Sequence, residues 1–313
     1  VYGIVSVQHL YTQVLLDNTQ VLVKGAEHAD NMLHSFNFNG FFYHNCSPKV
    51  LWQASHCVLL SFSFLEYIII FRYGYSLDDT YDKTDKVLFS ADGFGKFGAL
   101  DTDEAWTCEA RRYYFNIVGK YGAQVQALLK KAATLDIKTI CPLHGPVLTE
   151  NLGHYIGLYD IWSKYEPENE GVLVAYASIH GGTAVAANRL ADILREKGAP
   201  KVVVTDLSRC DMAEAVEDAF RYSHMVVCAA SYDADVFPPM HDFLHHLKLK
   251  NFQNRKVAIM ENGSWAPTAG RVMRAMLEGM KNVGIVEPMV TIRSRMKESD
   301  LPAMEQLATA LLA

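Results

Sequence analysis

The stretch Gly171-Val172-Leu173-Val174-Ala175-Tyr176-Ala177-Ser178-Ile179-His180-Gly181-Gly182-Thr183 decides how the rest of the chain is read. It opens on an apolar run, passes through small residues and hydroxyls, and leads into helical spacing from Ala184 to Lys197. That pattern is strand, turn and helix. Such a turn offers an anion a place, because the first N–H groups of a helix have no partner and the helix dipole adds partial positive charge. Ser178 and Thr183 add hydroxyl donors, and Gly181 and Gly182 let the backbone wrap closely around a phosphate. The plainer alternative is a tight βα turn that uses glycine for its backbone angles and binds nothing.

Downstream the alternation continues. The pattern predicts strands at Val172–Ala177, Lys201–Asp206, Met225–Ala230, Lys256–Glu261 and Ile285–Thr291. Helices are predicted near Ala184–Lys197, Met212–Arg221, Met240–Leu249, Thr268–Asn282 and Leu301–Leu312. Five strands, each followed by a helix, imply a doubly wound parallel α/β sheet, and runs such as Val202-Val203-Val204 fit burial on both faces. Ligands of such sheets bind beyond the carboxyl ends of the strands. Three loops meet there: Ser178 to Thr183; Ser231-Tyr232-Asp233-Ala234-Asp235 and onward to Pro239; and Asn262-Gly263-Ser264-Trp265-Ala266-Pro267. The first is the candidate phosphate cradle, while Tyr232 and Trp265 can flank a flat heterocycle whose polar edge meets Asn262, Gly263 and Ser264, the alternative being two packed loop aromatics. Flavin mononucleotide (FMN) fits a flat, phosphorylated ligand of this kind.

The first half carries fewer signals. Lys86-Val87-Leu88-Phe89-Ser90 is a predicted strand, and the turn Ala91-Asp92-Gly93-Phe94-Gly95 holds the Asp92 carboxylate at its end. A helical segment is expected through Arg111 to Lys120 and another from Ala123 to Thr134. Thr139 to Pro146 is a short strand ending at His144, and a further helix spans His154 to Lys164. Asp92 and His144 are types that share iron, zinc or manganese, although two ligands alone make a poor site. The alternative is a turn-capping carboxylate and a hydrogen-bonded loop histidine. The polar string Tyr165-Glu166-Pro167-Glu168-Asn169-Glu170 is the expected exposed linker between two domains.

Composition narrows the partners. The chain has 313 residues, half of them hydrophobic, with a formal net charge of -6, so two soluble domains are expected and no nucleic-acid partner. Its six cysteines form no CxxC pair, which argues against a zinc ribbon or a disulfide framework and favours the cytoplasm. The apolar run Val58 to Phe71 falls short of the ~18–20 residues a membrane span needs, and Glu66 interrupts it, so no membrane partner is expected. No basic segment and cleavage site follow Val1, so a signal peptide is not expected.

With these motifs in order, the chain from about Tyr81 to Ala313 resembles the flavodiiron proteins, or A-type flavoproteins. The likeness rests on Leu88 to Gly95, Leu143-His144-Gly145-Pro146, Ser178 to Thr183 and Asn262 to Pro267. The resemblance implies a partial metallo-β-lactamase-like α+β domain at 1–165, with 1–80 divergent, followed by a flavodoxin-like FMN-binding domain at 171–313. It further implies a non-haem diiron centre with Asp92 and His144 among its ligands, and FMN held by Ser178, Ile179, His180, Gly181, Gly182, Thr183, Ser231, Tyr232, Asp233, Ala234, Asn262, Gly263, Ser264 and Trp265. The implied activity is reduction of O2 to water or of NO to N2O. Electrons would come from a small redox protein such as rubredoxin, within a head-to-tail homodimer.

One part of the pattern is missing. The family's early His-x-Glu-x-Asp-His ligand string is absent; Glu27, His28 and Asp30 come nearest, in the wrong order and spacing, and Phe71 to Tyr75 lacks the family's next histidine. Substitutes such as His34, His44 or His56 have no spacing that recommends them. Two readings follow: a flavodiiron oxidoreductase, or an FMN electron-transfer module whose metal site is defective or absent. A lactamase-like hydrolase is a weaker third, against which the same missing string counts.

Overall fold

The computed structural model describes residues 67–69, 80–102 and 104–313. Glu27, His28, Asp30, His34, His44, His56 and most of the apolar run Val58 to Phe71 lie outside them. The chain divides into two compact units, which among the described residues comprise 67–69, 80–92, 99–102 and 136–149 in one, and 93–98, 104–135 and 150–313 in the other.

The smaller unit is built on short strands β1 (Tyr67–Ile69), β2 (Thr80–Asp82), β3 (Val87–Phe89) and β4 (Thr139–Cys141), which lie in that order in one sheet. β1, β2 and β3 run antiparallel, and β4 joins β3 in parallel. Leu88 and Ile140 are buried side by side in that parallel pair. The Tyr81 hydroxyl donates to the Asp136 carbonyl at 2.9 Å and ties β2 to the approach to β4.

The larger unit contains the predicted parallel sheet. Its strands are β5 (Asn169–Ala177), β6 (Val202–Asp206), β7 (Tyr222–Tyr232), β9 (Arg255–Asn262) and β10 (Val283–Ile292), in the spatial order β10-β9-β7-β5-β6. β5 therefore has its sequence neighbour on one side and β7 on the other. This reversal is the topological switch point of a flavodoxin-like sheet, where connections leave toward opposite faces and open a crevice. The sequence did not signal β8 (Asp235–Val236), which folds back antiparallel on β7 through Asp233 and Ala234 at φ 50° and 59°. Positive φ at both central residues matches the right-handed twist of a two-residue hairpin.

Helices cover both faces. α4 (Gly182–Glu196) and α8 (Leu301–Leu312) bury Leu190, Leu194, Met304, Leu307 and Leu311 against Val172, Val174, Val226 and Ala258. α5 (Met212–Arg221), α6 (Pro238–Leu249) and α7 (Ala269–Glu278) also belong to this unit. Three helices from the first half of the chain join it too: α1 (Trp106–Tyr113), α2 (Gly122–Ala132) and α3 (Leu152–Ser163). The single helix expected up to Lys120 is instead α1 followed by a π-helical turn, Tyr114–Val118, and a 3-10 turn, Gly119–Tyr121.

The segment Tyr165 to Glu170 is a correction. It was expected to be an exposed connection, yet its residues are anchored. The Tyr165 ring is buried, and its hydroxyl donates to the Gly119 carbonyl at 2.8 Å and accepts from the Gly122 N–H at 3.2 Å. Its carbonyl accepts from Arg255 at 2.7 Å. Glu168 accepts from Arg111 Nε and Nη2 at 2.6 and 2.7 Å and from the Trp162 indole at 2.8 Å. Asn169 and Glu170 already belong to β5. Glu166 and Glu170 are exposed as their charge suggested, whereas Glu168 is paired inside.

Arg111 also contacts Glu217 of α5, so one buried guanidinium serves two carboxylates. Burial is the main cause that pushes the Glu217 carboxyl up to about 7; Asp218 adds to it and Arg111 opposes it. Because folding raises this value, the folded chain still holds a proton at pH values where the unfolded chain has released it. Stability from Glu217 is therefore full below the ordinary glutamate range and falls as pH rises toward about 7. Denaturant unfolding should show a decline on the order of 2–3 kcal/mol across that window, flattened in Glu217→Gln. Arg111→Ala, which strands both carboxylates, should cost about 3–5 kcal/mol.

Candidate functional site

Three strand ends build the site. β5 ends at Ala177, and Ser178 to Gly181 then carry the chain to the start of α4. Ser178 Oγ accepts from the Gly181 N–H at 3.1 Å, which folds the loop back on itself. Gly181 takes φ 86° as the residue before α4, and no side chain caps the helix. The N–H groups of the first turn thus have neither an intrahelical acceptor nor a side-chain cap, the condition in which a helix start receives an anion. A Cβ built on Gly181 would meet nothing within 4 Å, so the space over the turn is open. Ile179, His180 and Gly181 are exposed, whereas Thr183 is buried at 3% exposure.

Gly182 is needed for another reason. A Cβ there would lie 2.7 Å from the Ser294 carbonyl oxygen and 3.3 Å from Asn262 Nδ2. Asn262 in turn holds Ser294 from the other side. Its Nδ2 donates to the Ser294 carbonyl at 2.9 Å, and its Oδ1 accepts from the Ser294 N–H at 3.1 Å. Ser264 Oγ lies 3.1 Å from Ser294 Oγ, and the Gly263 N–H donates to the Ile292 carbonyl at 3.1 Å. The α4 turn and the loop after β9 are therefore locked to one backbone unit at the end of β10. These two bonds fix the orientation of the Asn262 amide, leaving one N–H and one oxygen lone pair beyond them.

The loop after β7 is similarly defined. Ser231 Oγ accepts from the Thr268 and Ala269 N–H groups at 2.8 and 3.1 Å and so fastens the start of α7, a role the sequence did not show. Tyr232, Asp233 and Ala234 form the exposed tip of the β7–β8 hairpin. Trp265 is 89% exposed, so the plain reading of a packed loop aromatic does not hold for it, while Tyr232 is 45% exposed and meets Phe237 edge-on at 5.9 Å between ring centroids. β7 and β9 pair as far as Ala230 and Asn262, which places their loops side by side at the sheet edge. Below them Glu261 is buried, accepting from the Gly270 N–H at 2.8 Å and from Thr291 Oγ1 at 2.9 Å.

These features fit a flat, phosphorylated cofactor such as FMN. An uncapped helix start under open space suits the phosphate, and large exposed aromatics on neighbouring loops suit the ring.

The smaller unit brings its two predicted residues together. The Ser90 N–H donates to the Cys141 carbonyl at 3.1 Å and the Leu143 N–H to the Ala91 carbonyl at 2.8 Å, so the chains leaving β3 and β4 run side by side. Asp92 Oδ1 and His144 Nε2 consequently lie 3.6 Å apart, the carboxylate mostly buried and the imidazole half exposed. Among the described residues no group of three or more His, Cys, Asp or Glu side chains is placed to hold a metal ion. Two donors do not fit a two-iron centre.

No family model matches the chain. An uncharacterised protein of Methanocaldococcus jannaschii is 24% identical over 229 residues, 71% of this chain and 58% of that protein. A nitric oxide reductase of Moorella thermoacetica is 26% identical over 211 residues, 66% of this chain and 51% of the enzyme. The chain thus spans little more than half the length of these relatives. Among solved structures, the rubredoxin oxygen:oxidoreductase of Desulfovibrio gigas superposes with a TM-score of 0.71 at 20% identity, covering 79% of this chain and 64% of that one. The flavodiiron protein of Giardia intestinalis gives 0.70 at 24%, with the same coverage. The chain is an α/β protein with the fold of these two structures over most of its length. In fold it is similar to these flavodiiron structures, and in sequence it is similar to a nitric oxide reductase.

Gly182→Ala tests the geometry of the site without any ligand. Its methyl group would press on the Ser294 carbonyl, so the loops must part or the helix must shift. Thermal unfolding should show a loss of about 1–3 kcal/mol, whereas Gly181→Ala, which meets only backbone strain and open space, should lose about 1 kcal/mol.

Proposed function

We propose that the chain is an FMN-dependent redox protein of the flavodiiron type, with residues 171–313 as its flavin-binding domain and 1–165 as an incomplete lactamase-like one. The observation that carries this reading is the uncapped start of α4 at the switch point, flanked by the exposed Tyr232 and Trp265. In this reading the N–H groups of Gly182, Thr183 and Ala184 bind the phosphate, with Ser178 and Thr183 beside them. Tyr232 and Trp265 flank the ring and exclude water from its faces. The Asn262-Gly263-Ser264 loop meets the ring's polar edge, where hydrogen bonds donated by groups other than the Gly263 N–H, which Ile292 holds, favour the electron-rich form. Bound FMN supplies one-electron and two-electron transfer, which joins a one-electron donor to a multi-electron reduction.

A small redox protein such as rubredoxin is the proposed donor and O2 or NO the proposed final acceptor, in a head-to-tail homodimer within the cytoplasm. Among the described residues no helix is long and apolar enough to cross a membrane. Asp92 and His144 are the proposed metal ligands. Because they do not make a two-iron centre by themselves, reduction of O2 or NO needs ligands beyond the described residues. The second reading is an FMN electron-transfer module with a defective or absent diiron site, which the His-x-Glu-x-Asp-His string missing from this sequence supports.

Fluorescence titration of the flavin-free chain should show FMN binding at least ~100-fold more tightly than riboflavin, since the phosphate contributes several charge-assisted hydrogen bonds at the helix start. Equal affinities for the two would overturn the cradle assignment. Trp265→Ala should weaken both by about tenfold, the worth of one aromatic stack. Iron content of the purified protein separates the two readings: about two irons per chain supports the reductase, and none leaves the electron-transfer module.

A further inference from the structure

The helices that the larger unit takes from the first half of the chain carry a dense run of oxidisable rings. Tyr159 and Trp162, on α3, lie 5.4 Å apart between ring centroids. Trp162 is 6.5 Å from Trp106 of α1, nearly parallel to it at 13°, and Trp106 is 4.5 Å from Tyr155. Tyr114 joins from the side, 5.0 Å from Tyr159 and 5.4 Å from Trp162. Packing alone would be served as well by leucine or phenylalanine, and one branch of the cluster does continue that way, through Phe115, Phe220 and Phe252.

We propose that Tyr159, Trp162, Trp106 and Tyr155 form a relay that carries single oxidising equivalents from the interior of this unit to its surface. Four observations define it. The relay begins at Tyr159, 2% exposed, whose hydroxyl accepts from the Phe94 N–H at 2.6 Å, two residues along the chain from Asp92. Trp162, 1% exposed, donates its indole N–H to the Glu168 carboxylate at 2.8 Å, which Arg111 also holds, so the indole proton of the oxidised ring has an acceptor in place. The Tyr114 hydroxyl is buried without a hydrogen-bond partner, and burial pushes it well above the usual phenol value. With no acceptor for its proton, Tyr114 cannot keep the oxidising equivalent. Tyr155 is only half-buried, so its phenol can release a proton to water. The Phe115 branch ends the alternative route, because phenylalanine rings are far harder to oxidise than indole or phenol.

The electron balance is simple. A one-electron oxidant of the oxygen-radical class removes one electron from Trp162, or from Tyr159, which Trp162 refills before the Tyr159 phenol gives up its proton, and leaves in its reduced form, hydroxyl radical as hydroxide. Trp106 refills Trp162, and Tyr155 refills Trp106. Tyr155 loses its phenolic proton to water as it gives up the electron. A thiol or ascorbate in solution then returns one hydrogen atom to the Tyr155 oxygen. The relay requires no bound flavin or metal and stands apart from the proposed function above.

Flash-quench oxidation with a photogenerated ruthenium(III) polypyridyl complex tests it in the full chain. The two tryptophans outside the relay, Trp52 and Trp265, are first replaced by phenylalanine. Transient absorption should then show a tryptophan radical that includes the buried Trp162 and converts to a tyrosine radical. Trp106→Phe should remove the Trp162 signal although Trp162 is intact. Tyr155→Phe should suppress the tyrosine radical and prolong the tryptophan radical by an order of magnitude. A Trp162 radical that forms at the parental rate in Trp106→Phe, or a tyrosine radical undiminished in Tyr155→Phe, overturns the relay. Phenylalanine keeps most of each ring's packing, and each of the two variants decides the matter without the other.

Discussion

The Ser294 carbonyl oxygen sits where Gly182 has room for a hydrogen but none for a carbon. That contact, completed by the two hydrogen bonds from Asn262, makes the start of α4, the end of β9 and the end of β10 a single rigid corner. Ser294 itself takes φ 64°, a conformation a non-glycine residue holds only when its surroundings fix it. Because α4 begins at this corner, its first turn is uncapped and open, beside loops that carry exposed aromatics. The sheet supplies the switch point, and the corner turns it into a defined edge.

The same logic runs through the larger unit. Arg111 and Arg255 are both buried, and both work by gathering chain segments distant in sequence. Arg111 joins α1, the segment before β5, and α5 through two carboxylates. Arg255 donates to carbonyls of Tyr165 and Tyr222 at 2.7 and 2.8 Å, so the starts of β5, β7 and β9 are held together, and burial lowers its value to about 10. Buried charge of this kind is costly unless fully paired. Here the pairing fixes how helices α1 to α3 pack on the sheet.

Much of this fold was legible in the sequence. Strands with near-continuous apolar runs have no competing period, and helices Met212–Arg221 and Leu301–Leu312 fall where predicted, the first because Asp211 marks a clear start. The Asp211 side chain accepts from the Ala213 N–H at 2.9 Å, an N-cap readable from residue type alone. What escaped was tertiary. Asp233-Ala234 is not a common hairpin dipeptide, so β8 gave no signal. The string from Tyr165 to Glu170 looked solvent-seeking because its partners, Arg111, Gly119 and Arg255, lie far away in sequence. In the site, the glycines and exposed aromatics could be read from the βα pattern, but the commitments of Ser231 and Asn262 to backbone partners could not. Asp92 and His144 were placed at strand ends correctly, and their 3.6 Å approach follows from the parallel pairing of β3 with β4.

The central claim is that the start of α4 receives the phosphate of a flavin whose ring lies between the loops after β7 and β9. Amide chemical shifts of the isotope-labelled chain, recorded as FMN is added, test it most directly. The account predicts the largest changes at Gly182, Thr183 and Ala184, together with the Tyr232 amide and the Trp265 indole N–H. Changes confined to other parts of the chain, or none at saturating FMN, would contradict it.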